Sequence, residues 1–412
     1  MKNFAALTIC SINYIPKALV LIDTYRLHHP EHAIYLVIVD KKTSQDLGQL
    51  NKKLNLHVIW VEDLEIDDFL SYAFMYDVIE LNTNVKPFAL KRILSQHQAV
   101  VYLDPDIKIY APLTPVFEAL ITSSIVVTPH CSTPVCDGFS PDDIDLLKFG
   151  AFNLGFIGLS NCDEAISFLN WWSERCLNHG FYEPQLGLAV DQKWINLAPC
   201  FFPNLKILHN TGLNLAFWNL HERFISFVDG NWIVNGGEQL RFIHFSSFNP
   251  NFPDVIAYKQ NRFLPGSRQD FIELATTYAK ELNANENDSL SSVPYGFDYF
   301  DNGTYITPAL RRFYAALKNS KFKSISNPFD SLGLVLKFAQ SNSLLLKSNQ
   351  PSKRKTFQDM GSYGLQIKLI DKAFRFALFL LGPDRYFNLM RYLAHISSLR
   401  NQAKIFEKNK IK

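Results

Sequence analysis

Residues 99–106 read AVVYLDPD, an uninterrupted apolar run that ends at two carboxylates. Five apolar residues followed by turn residues predict a strand that is buried on both faces, as in a parallel sheet. Ligands of open parallel sheets bind outside the carboxyl ends of the strands. Asp104 and Asp106 are therefore expected at a site of small-molecule chemistry.

The sequence on either side of this stretch alternates between strand and helix patterns. Apolar runs predict strands at residues 4–10, 33–39, 56–61, 125–128 and 151–159, and helical periodicity predicts helices at residues 16–27, 41–53 and 83–94. Pro87 suits the first turn of the last of these helices, where a missing N–H costs little. This alternation predicts an α/β fold with a parallel sheet and helices on both faces.

Composition restricts the class of protein. Of the 412 residues 47% are hydrophobic and 19% are charged, which indicates a globular chain, and the net charge of +2 gives no general attraction to nucleic acid. We expect neither a signal peptide nor a transmembrane helix, because the charge and apolar patterns of both are missing. The cysteines are spread singly, which favours reduced thiols over a zinc site and predicts a cytoplasmic location.

Asp104 and Asp106 flank Pro105, whose fixed φ limits the backbone between them. Two carboxylates on one tight turn repel each other unless a cation lies between them. Mg²⁺ or Mn²⁺, which prefer oxygen ligands, would relieve that repulsion and also bind a diphosphate. The alternative is an ordinary turn after a strand, because Asp and Pro are common turn residues.

Four further sequence blocks accompany this turn. They are VKPF at residues 85–88, FNLGF at 152–156, VDQKWIN at 190–196 and FIHFS at 242–246. Together with the Tyr-Leu-Asp-x-Asp turn they resemble the family 8 retaining glycosyltransferases and a related group of bacterial transferases. Family 8 includes glycogenin and bacterial lipopolysaccharide galactosyl- and glucosyltransferases. The resemblance covers roughly residues 5–260.

This resemblance implies a GT-A fold, in which a Rossmann-like, mostly parallel mixed sheet is flanked by helices, and a UDP-sugar as the donor. It also implies that His244 joins Asp104 and Asp106 as the third metal ligand. An imidazole beside two carboxylates suits Mn²⁺ better than Mg²⁺. Without the family pattern, a histidine in an apolar strand is more often a satisfied core residue.

The same resemblance implies donor-binding and catalytic roles. Donor contacts are implied for Cys10, Tyr14, Asp40, Lys86, Asp104, Asn153 and Asn214, and catalysis for Asp191 and Gln192. Several have structural alternatives, namely a surface lysine for Lys86, a turn residue for Asp40, a fold-bracing amide for Asn153 and an N-cap for Asp191. The polar and aromatic run at residues 214–223 suits sugar hydroxyls or, alternatively, a buried network.

One block departs from the family. Family 8 members often follow the histidine strand with Gly-x-x-Lys, whose lysine contacts the diphosphate, whereas this chain has Ser247 and Pro250 at those positions. Lys259 or Arg262 would have to supply the charge. The departure favours the related bacterial group.

The expected reaction moves a hexose to a glycan, lipid-linked or protein acceptor with retention of configuration. Double displacement would need a carboxylate nucleophile, for which Asp191 is the best candidate and Gln192 the next. Same-face substitution needs no protein nucleophile and is preferred by analogy with the family.

Two alternatives stay open: an inverting transferase with Asp142, Asp143 or Glu222 as the base, and a non-catalytic nucleotide-sugar-binding module. A nucleotidyltransferase usually carries a glycine-rich, basic loop after its first strand. This class is disfavoured because residues 8–17 contain no glycine.

The character of the sequence changes past residue 270. We predict a catalytic domain over residues 1–270 and a mainly helical extension over residues 271–412, with a linker at 283–292 and helices at 367–381 and 386–399. From residue 368 onward ten Lys/Arg stand against three Asp/Glu. This basic amphipathic pattern predicts either peripheral contact with the inner face of the membrane or a helix packed on the catalytic domain with a solvated basic face.

Overall fold

The computed structural model describes residues 3–42, 56–285, 289–347 and 364–403. The predicted helix at residues 41–53 falls on residues 43–53, which lie outside the described part. The chain divides into two compact units, Met1–Phe69 with Val78–Gly296 and Leu70–Asp77 with Phe297–Lys412. The predicted division into functional domains at residue 270 stays a prediction.

The strands agree with the sequence pattern at most positions. In the described residues they are β1 (Phe4–Cys10), β2 (Ala33–Ile38), β3 (His57–Trp60), β4 (Ala99–Leu103), β5 (Ile107–Ile109), β6 (Ile125–Val127), β7 (Phe156–Ser160), β8 (Tyr182–Glu183), β9 (Leu188–Ala189), β10 (Leu205–Ile207), β11 (Ile225–Val228), β12 (Asn231–Val234), β13 (Glu238–Gln239) and β14 (Phe242–His244). The strand predicted at residues 151–159 begins only at Phe156, because the preceding residues form the loop that supports His244.

Among the described residues, helices occur in both units of the chain. In the same part of the chain they are α1 (Ile15–His28), α2 (Phe69–Met75), α3 (Val78–Asn84), α4 (Lys86–Leu94), α5 (Thr114–Ala119), α6 (Asp143–Phe149), α7 (Asp163–His179), α8 (Ala198–Phe201), α9 (Gln269–Asn285), α10 (Pro308–Leu317), α11 (Leu334–Ser341), α12 (Gly364–Leu381) and α13 (Pro383–Ile396). None of them is both long and apolar enough to cross a membrane.

Seven strands form the central sheet of the first unit, in the order β10-β6-β7-β4-β1-β2-β3. Strand β7 runs antiparallel to both of its neighbours, and the other neighbouring pairs are parallel. Strand β4 lies at the middle of this order and is buried along its whole length. The predicted fold class, a mostly parallel mixed sheet flanked by helices with a helical C-terminal region, is confirmed.

Two predicted segments need correction. The single helix at residues 83–94 is two helices, α3 and α4, because Pro87 has no N–H and its ring excludes a helical bond to the carbonyl of Thr83. The linker predicted at residues 283–292 starts too early, since α9 continues to Asn285. The apolar face of α9, with Phe271, Leu274 and Tyr278, is buried in a core cluster of the first unit, which stabilises the helix.

A buried arginine holds residues 70–77 in the second unit. Arg311 of α10 is 1% exposed, and its Nη1 donates to the carbonyls of Ala73, Phe74 and Tyr76 at 3.1, 3.0 and 2.8 Å. Its Nη2 forms an ion pair with Asp298 at 2.8 Å. These bonds explain why residues 70–77 belong to the second unit. Helices α12 and α13 are separated at Gly382, as predicted.

Candidate metal and donor site

Asp104 and Asp106 lie on a tight turn between β4 and β5, at the carboxyl edge of the parallel strands. The Asp104 amide donates to the Gly155 carbonyl at 2.8 Å, and the Ile107 amide donates to the Asp104 carbonyl at 3.0 Å. The turn is thereby fastened to the start of β7. Both carboxylates keep part of their surface in solvent, with 28% of the Asp104 side chain and 20% of the Asp106 side chain exposed.

His244 reaches this turn through the antiparallel pairing of β14 with β5, in which it lies opposite Ile107. Its Nε2 is 3.0 Å from Asp106 Oδ1 and 3.6 Å from Asp104 Oδ2. Each of the three side chains offers one ligand atom, and these atoms lie within 4.8 Å of one another. They form a group that could hold a metal ion, which is the trio that the family resemblance implied.

The second imidazole nitrogen fixes the orientation of the His244 ring. Its Nδ1–H donates to Asn153 Oδ1 at 3.1 Å. The same oxygen accepts from Gly155 N at 3.2 Å and from Asn214 Nδ2 at 3.1 Å, so it acts purely as an acceptor. Nε2 is left to face the carboxylates. Metal-binding histidines are commonly held in this way, with one nitrogen donating and the other directed at the ion.

The charged side chains of the trio shift the pKa values of Asp106 and His244. Burial raises the pKa of Asp106, but the charge and hydrogen bond of His244, with a smaller contribution from the charge of Lys17, outweigh burial and lower this pKa. Burial likewise opposes charge on His244, yet Asp106 and Asp104 raise its pKa. A proton on Nε2 thus sits where a divalent cation would place its charge. Two carboxylates and one oriented imidazole are a donor set that fits such an ion.

Gly155 provides the space that the His244 ring occupies. A Cβ at this position would lie 2.3 Å from His244 Cε1, 2.6 Å from His244 Nδ1 and 2.9 Å from Asn153 Oδ1. These distances are far inside van der Waals contact. The glycine of the FNLGF block therefore has a steric reason, which is to let the histidine approach the acidic turn.

Lys86 and Asp191 form a buried ion pair beside the trio. Lys86 Nζ lies 2.7 Å from Asp191 Oδ2, and both side chains are 2% exposed. The same ammonium donates to the Leu154 carbonyl at 2.7 Å and lies 4.2 Å above the Tyr102 ring. Burial raises the pKa of Asp191 in spite of Lys86. The alternative of a surface lysine at Lys86 is wrong, and its role toward a donor stays a prediction.

Gln192 follows Asp191 but bonds to backbone on both sides. Its Oε1 accepts from Leu154 N at 3.0 Å, and its Nε2 donates to the Phe149 carbonyl at 3.0 Å. The segment that follows, Gln192–Leu197, is a 3₁₀ helix that Asp191 precedes without capping it through its side chain. The N-cap alternative for Asp191 is therefore wrong, and its catalytic role stays a prediction.

The predicted nucleotide-binding residues lie at the ends of β1 and β2. Asp40 is buried, and its Oδ1 accepts from Gly296 N at 2.7 Å and from Lys41 N at 2.9 Å. Cys10 is buried beside it, and burial together with the Asp40 charge raises the pKa of its thiol. Tyr14 is half-buried, and its pKa is raised by burial and by the charges of Asp106 and Asp104. Tyr14 therefore lies within electrostatic reach of the acidic turn.

The polar and aromatic run at residues 214–223 is mostly a buried network. Asn219 Nδ2 donates to the His130 and Asn214 carbonyls at 2.9 and 3.0 Å. Arg223 Nη1 donates to the Thr211 and Leu213 carbonyls at 2.9 and 2.6 Å. The Trp218 ring packs edge-on against His244 with centroids 5.2 Å apart. This run braces the loop behind the metal trio.

The candidate bases for an inverting reaction are engaged in local bonds. Asp142 caps α6, accepting from Asp145 N at 3.0 Å, and Asp143 accepts from Val135 N at 2.9 Å. Glu222 accepts from Ser132 N at 2.8 Å. Whether any of them acts as a base stays a prediction.

The positions that depart from the family also have local roles. Arg262 is held by Asp137 at 2.6 Å and donates to the Pro141 carbonyl at 2.8 Å. Ser247 keeps a left-handed backbone, with φ of 59°, at the position where the family has glycine.

Sequence reasoning missed two contributors to the site. Lys17, in the first turn of α1, acts electrostatically on Asp106, and its Nζ lies 4.4 Å over the Tyr14 ring. The Tyr102 hydroxyl donates to Asp104 Oδ1 at 2.5 Å. Tyr102 stood in the quoted motif, whereas no local pattern distinguishes Lys17 from a surface lysine.

Comparison with known proteins gives distant similarities. No family model matches the chain. It is 28% identical over 246 residues to the uncharacterized protein YfnF of Bacillus subtilis (strain 168), covering 58% of this chain and 80% of YfnF. It is 25% identical over 255 residues to the uncharacterized protein YfnD of the same organism, covering 60% of this chain and 79% of YfnD.

Solved structures of glycosyltransferases are also similar to the chain. One is the galactosyltransferase LgtC in complex with donor and acceptor sugar analogues, at 14% identity, covering 70% of this chain and 97% of that chain, with a TM-score of 0.42. Another is GlyE of Streptococcus pneumoniae TIGR4, at 16% identity and a TM-score of 0.41; the match covers 73% of this chain and 67% of the GlyE chain. Mouse xyloside xylosyltransferase 1 is similar at 14% identity and a TM-score of 0.31; the match covers 51% of this chain and 86% of the mouse chain. At these values the similarities assign no activity to this chain.

Proposed function

We propose that this protein is a metal-dependent glycosyltransferase that moves a hexose from a UDP-sugar to a glycan, lipid-linked or protein acceptor with retention of configuration. The observation that carries the proposal is the convergence of Asp104, Asp106 and His244 at the carboxyl edge of the sheet. Small-molecule ligands of α/β sheets bind at this edge.

Asp104, Asp106 and His244 would hold the ion, and Mn²⁺ suits this mixed oxygen and nitrogen set better than Mg²⁺. When bound, the ion would neutralise charge on the nucleoside diphosphate that leaves the sugar. The Tyr102 hydroxyl donates to Asp104 Oδ1, so Oδ2, which faces His244, would be the oxygen available to hold the ion. The chain thus orients two of the three ligands through neighbouring hydrogen bonds.

Lys17 is our candidate for the cation that faces the donor diphosphate. Lys86 and Asp191 neutralise each other, and a divalent ion would balance Asp104 and Asp106. The anionic donor therefore needs a further positive charge. Lys17 lies in the first turn of α1, where the helix N-terminus adds its own partial positive charge. It would replace the lysine that the family carries after the histidine strand.

Retention by same-face substitution is supported by the state of the two candidate nucleophiles. The Asp191 carboxylate is tied to Lys86 at 2.7 Å, and the Gln192 amide is bonded at both ends. A nucleophile needs an accessible lone pair, whereas the Asp191 side chain is 2% exposed and the Gln192 amide oxygen already accepts a hydrogen bond.

A cytoplasmic location is part of the proposal. All six cysteines are free thiols, of which Cys10 and Cys176 are buried. Free thiols in this number support a reducing compartment.

The proposal is tested by measuring sugar release and transfer across a panel of nucleotide-sugars, with Mn²⁺, with EDTA and with Asp106→Ala. We expect turnover of one donor with Mn²⁺ only, and its loss in Asp106→Ala. Asp163→Asn is the matched control, because Asp163 is an exposed carboxylate in the first turn of α7 and should leave turnover unchanged. In a separate titration of binding, Lys17→Gln should weaken binding of UDP more than binding of uridine.

Three outcomes would change the proposal. Metal-dependent donor binding without any turnover would indicate a binding module. An anomeric configuration opposite to that of the donor, read by NMR of the product, would indicate an inverting enzyme. Turnover that survives both EDTA and Asp106→Ala would refute the role of the trio.

A further inference from the structure

Helix α12 carries an exposed apolar stripe. Neither α12 nor α13 has a buried residue. The side chains that form the stripe are Leu365, Leu369, Phe376, Phe379 and Leu380, which are 80%, 62%, 64%, 86% and 68% exposed. At 3.6 residues per turn they fall within an arc of about 100° on α12. The opposite side of α12 holds the less exposed Ile367 and Phe374.

Basic side chains border this stripe on one side. Lys372 falls just inside one edge of the stripe, and Lys368 and Arg375 lie next to that edge, outside the stripe. Over residues 364–403 six Lys/Arg stand against two Asp/Glu. Long basic side chains can keep their charge in water while their stems cover apolar surface. The basic side chains thus line one edge of the exposed apolar stripe, and α12 also exposes Ile370 and Leu378 outside the stripe, at 50% and 41%.

We propose that α12 binds the surface of a membrane that contains anionic lipids. Leu365, Leu369, Phe376, Phe379 and Leu380 would enter the boundary between headgroups and acyl chains, and Lys368, Lys372 and Arg375 would contact lipid phosphates. The helix lies on the membrane and does not cross it. This inference goes beyond glycosyl transfer and does not depend on it.

Charge complementarity favours a lipid surface over a second copy of the chain. Two α12 helices that met through the same stripe would bring Lys368, Lys372 and Arg375 of both copies near one another. Like charges brought together at an interface oppose association. An anionic bilayer instead offers an apolar layer below and negative charges at the level of the basic side chains.

The test is co-sedimentation of the full chain with vesicles, in the absence of metal and donor. We expect binding to phosphatidylcholine vesicles that contain about a third phosphatidylglycerol, weaker binding to phosphatidylcholine alone, and loss of binding as salt is raised. The double variant Leu365→Ser with Phe379→Ser should lower the partition coefficient by about a hundredfold, because each side chain contributes roughly a factor of ten.

A matched double variant controls for general surface apolarity. Leu332→Ser with Phe227→Ser also removes one exposed Leu and one exposed Phe, which are 80% and 60% exposed. It should bind vesicles like the unchanged protein. Circular dichroism and gel filtration verify that both variants fold. Equal vesicle binding by the two double variants would overturn the proposal, as would a failure of the unchanged protein to bind. Self-association that depends on Leu365 and Phe379 without vesicle binding would assign the stripe to a second copy.

Discussion

Gly155→Ala should uncouple the histidine from the metal trio without unfolding the protein. The added methyl would lie 2.3 Å from His244 Cε1. Carbon atoms rest at about 3.5 Å, so the ring must retreat by about 1.2 Å. Metal–ligand distances tolerate only about 0.2 Å, so a shift of this size removes the imidazole from the coordination set.

The expected loss can be bounded from below. Disturbing the outer partners of a metal ligand typically costs tenfold to a hundredfold in affinity, about 1.4 to 2.7 kcal/mol. Displacing the ligand itself should cost at least as much. We expect the Mn²⁺ dissociation constant of Gly155→Ala, measured by isothermal titration calorimetry, to rise by at least about tenfold.

Gly158→Ala, in strand β7 directly after the loop that holds Gly155, provides the control. Its added methyl would meet Leu120 Cδ1 at 3.1 Å, the far end of a flexible side chain. It should bind Mn²⁺ like the unchanged protein. If Gly155→Ala and Gly158→Ala bind Mn²⁺ equally well while both remain folded, His244 is not a metal ligand.

Two further predictions concern buried charge. Lys86→Met leaves the Asp191 carboxylate buried without its counter-charge and should lower the unfolding free energy, measured in urea, by about 3 to 5 kcal/mol. Adding Asp191→Asn should recover most of this loss. Equal stability of Lys86→Met and the double variant would contradict the prediction. Burial lowers the pKa of His130 from 6.5 to about 4. The unfolded chain takes up this proton first, so stability should fall from pH 6.5 toward pH 4, by up to about 3 kcal/mol in metal-free buffer. His130→Gln should flatten this dependence, and an unchanged pH profile would refute the assignment.

The sequence was most informative where a local pattern and a structural role coincide. The AVVYLDPD run predicted both the central strand and the position of the acidic turn. The glycine of FNLGF and the histidine of FIHFS were recognised from the family pattern. That the His244 ring packs directly against the Gly155 backbone is visible only in the folded structure. Likewise Asn153 was expected either to brace the fold or to touch the sugar; its hydrogen bond with His244 braces the site, and its contact with a sugar stays a prediction.

Other features depend on contacts between distant parts of the chain. Residues 70–77 join the second unit because Arg311 binds three of their carbonyls. Lys17 approaches the acidic turn because β1, which precedes α1, pairs with β4. Nothing in the local sequence of either segment carries this information, since pairing of strands and burial of an arginine are set by the whole fold.

The pairing of β5 with β14 has a consequence for the order in which the protein is made. Asp106 and His244 are 138 positions apart in sequence and meet only through this two-stranded ribbon. A nascent chain that has emerged as far as β13 already holds both carboxylates and their turn, but not His244. Contacts of such sequence separation close late, because the intervening loop entropy is lost before they form. A divalent ion held by Asp104, Asp106 and His244 would therefore bind only a nearly finished domain, and it could not act as an early folding nucleus.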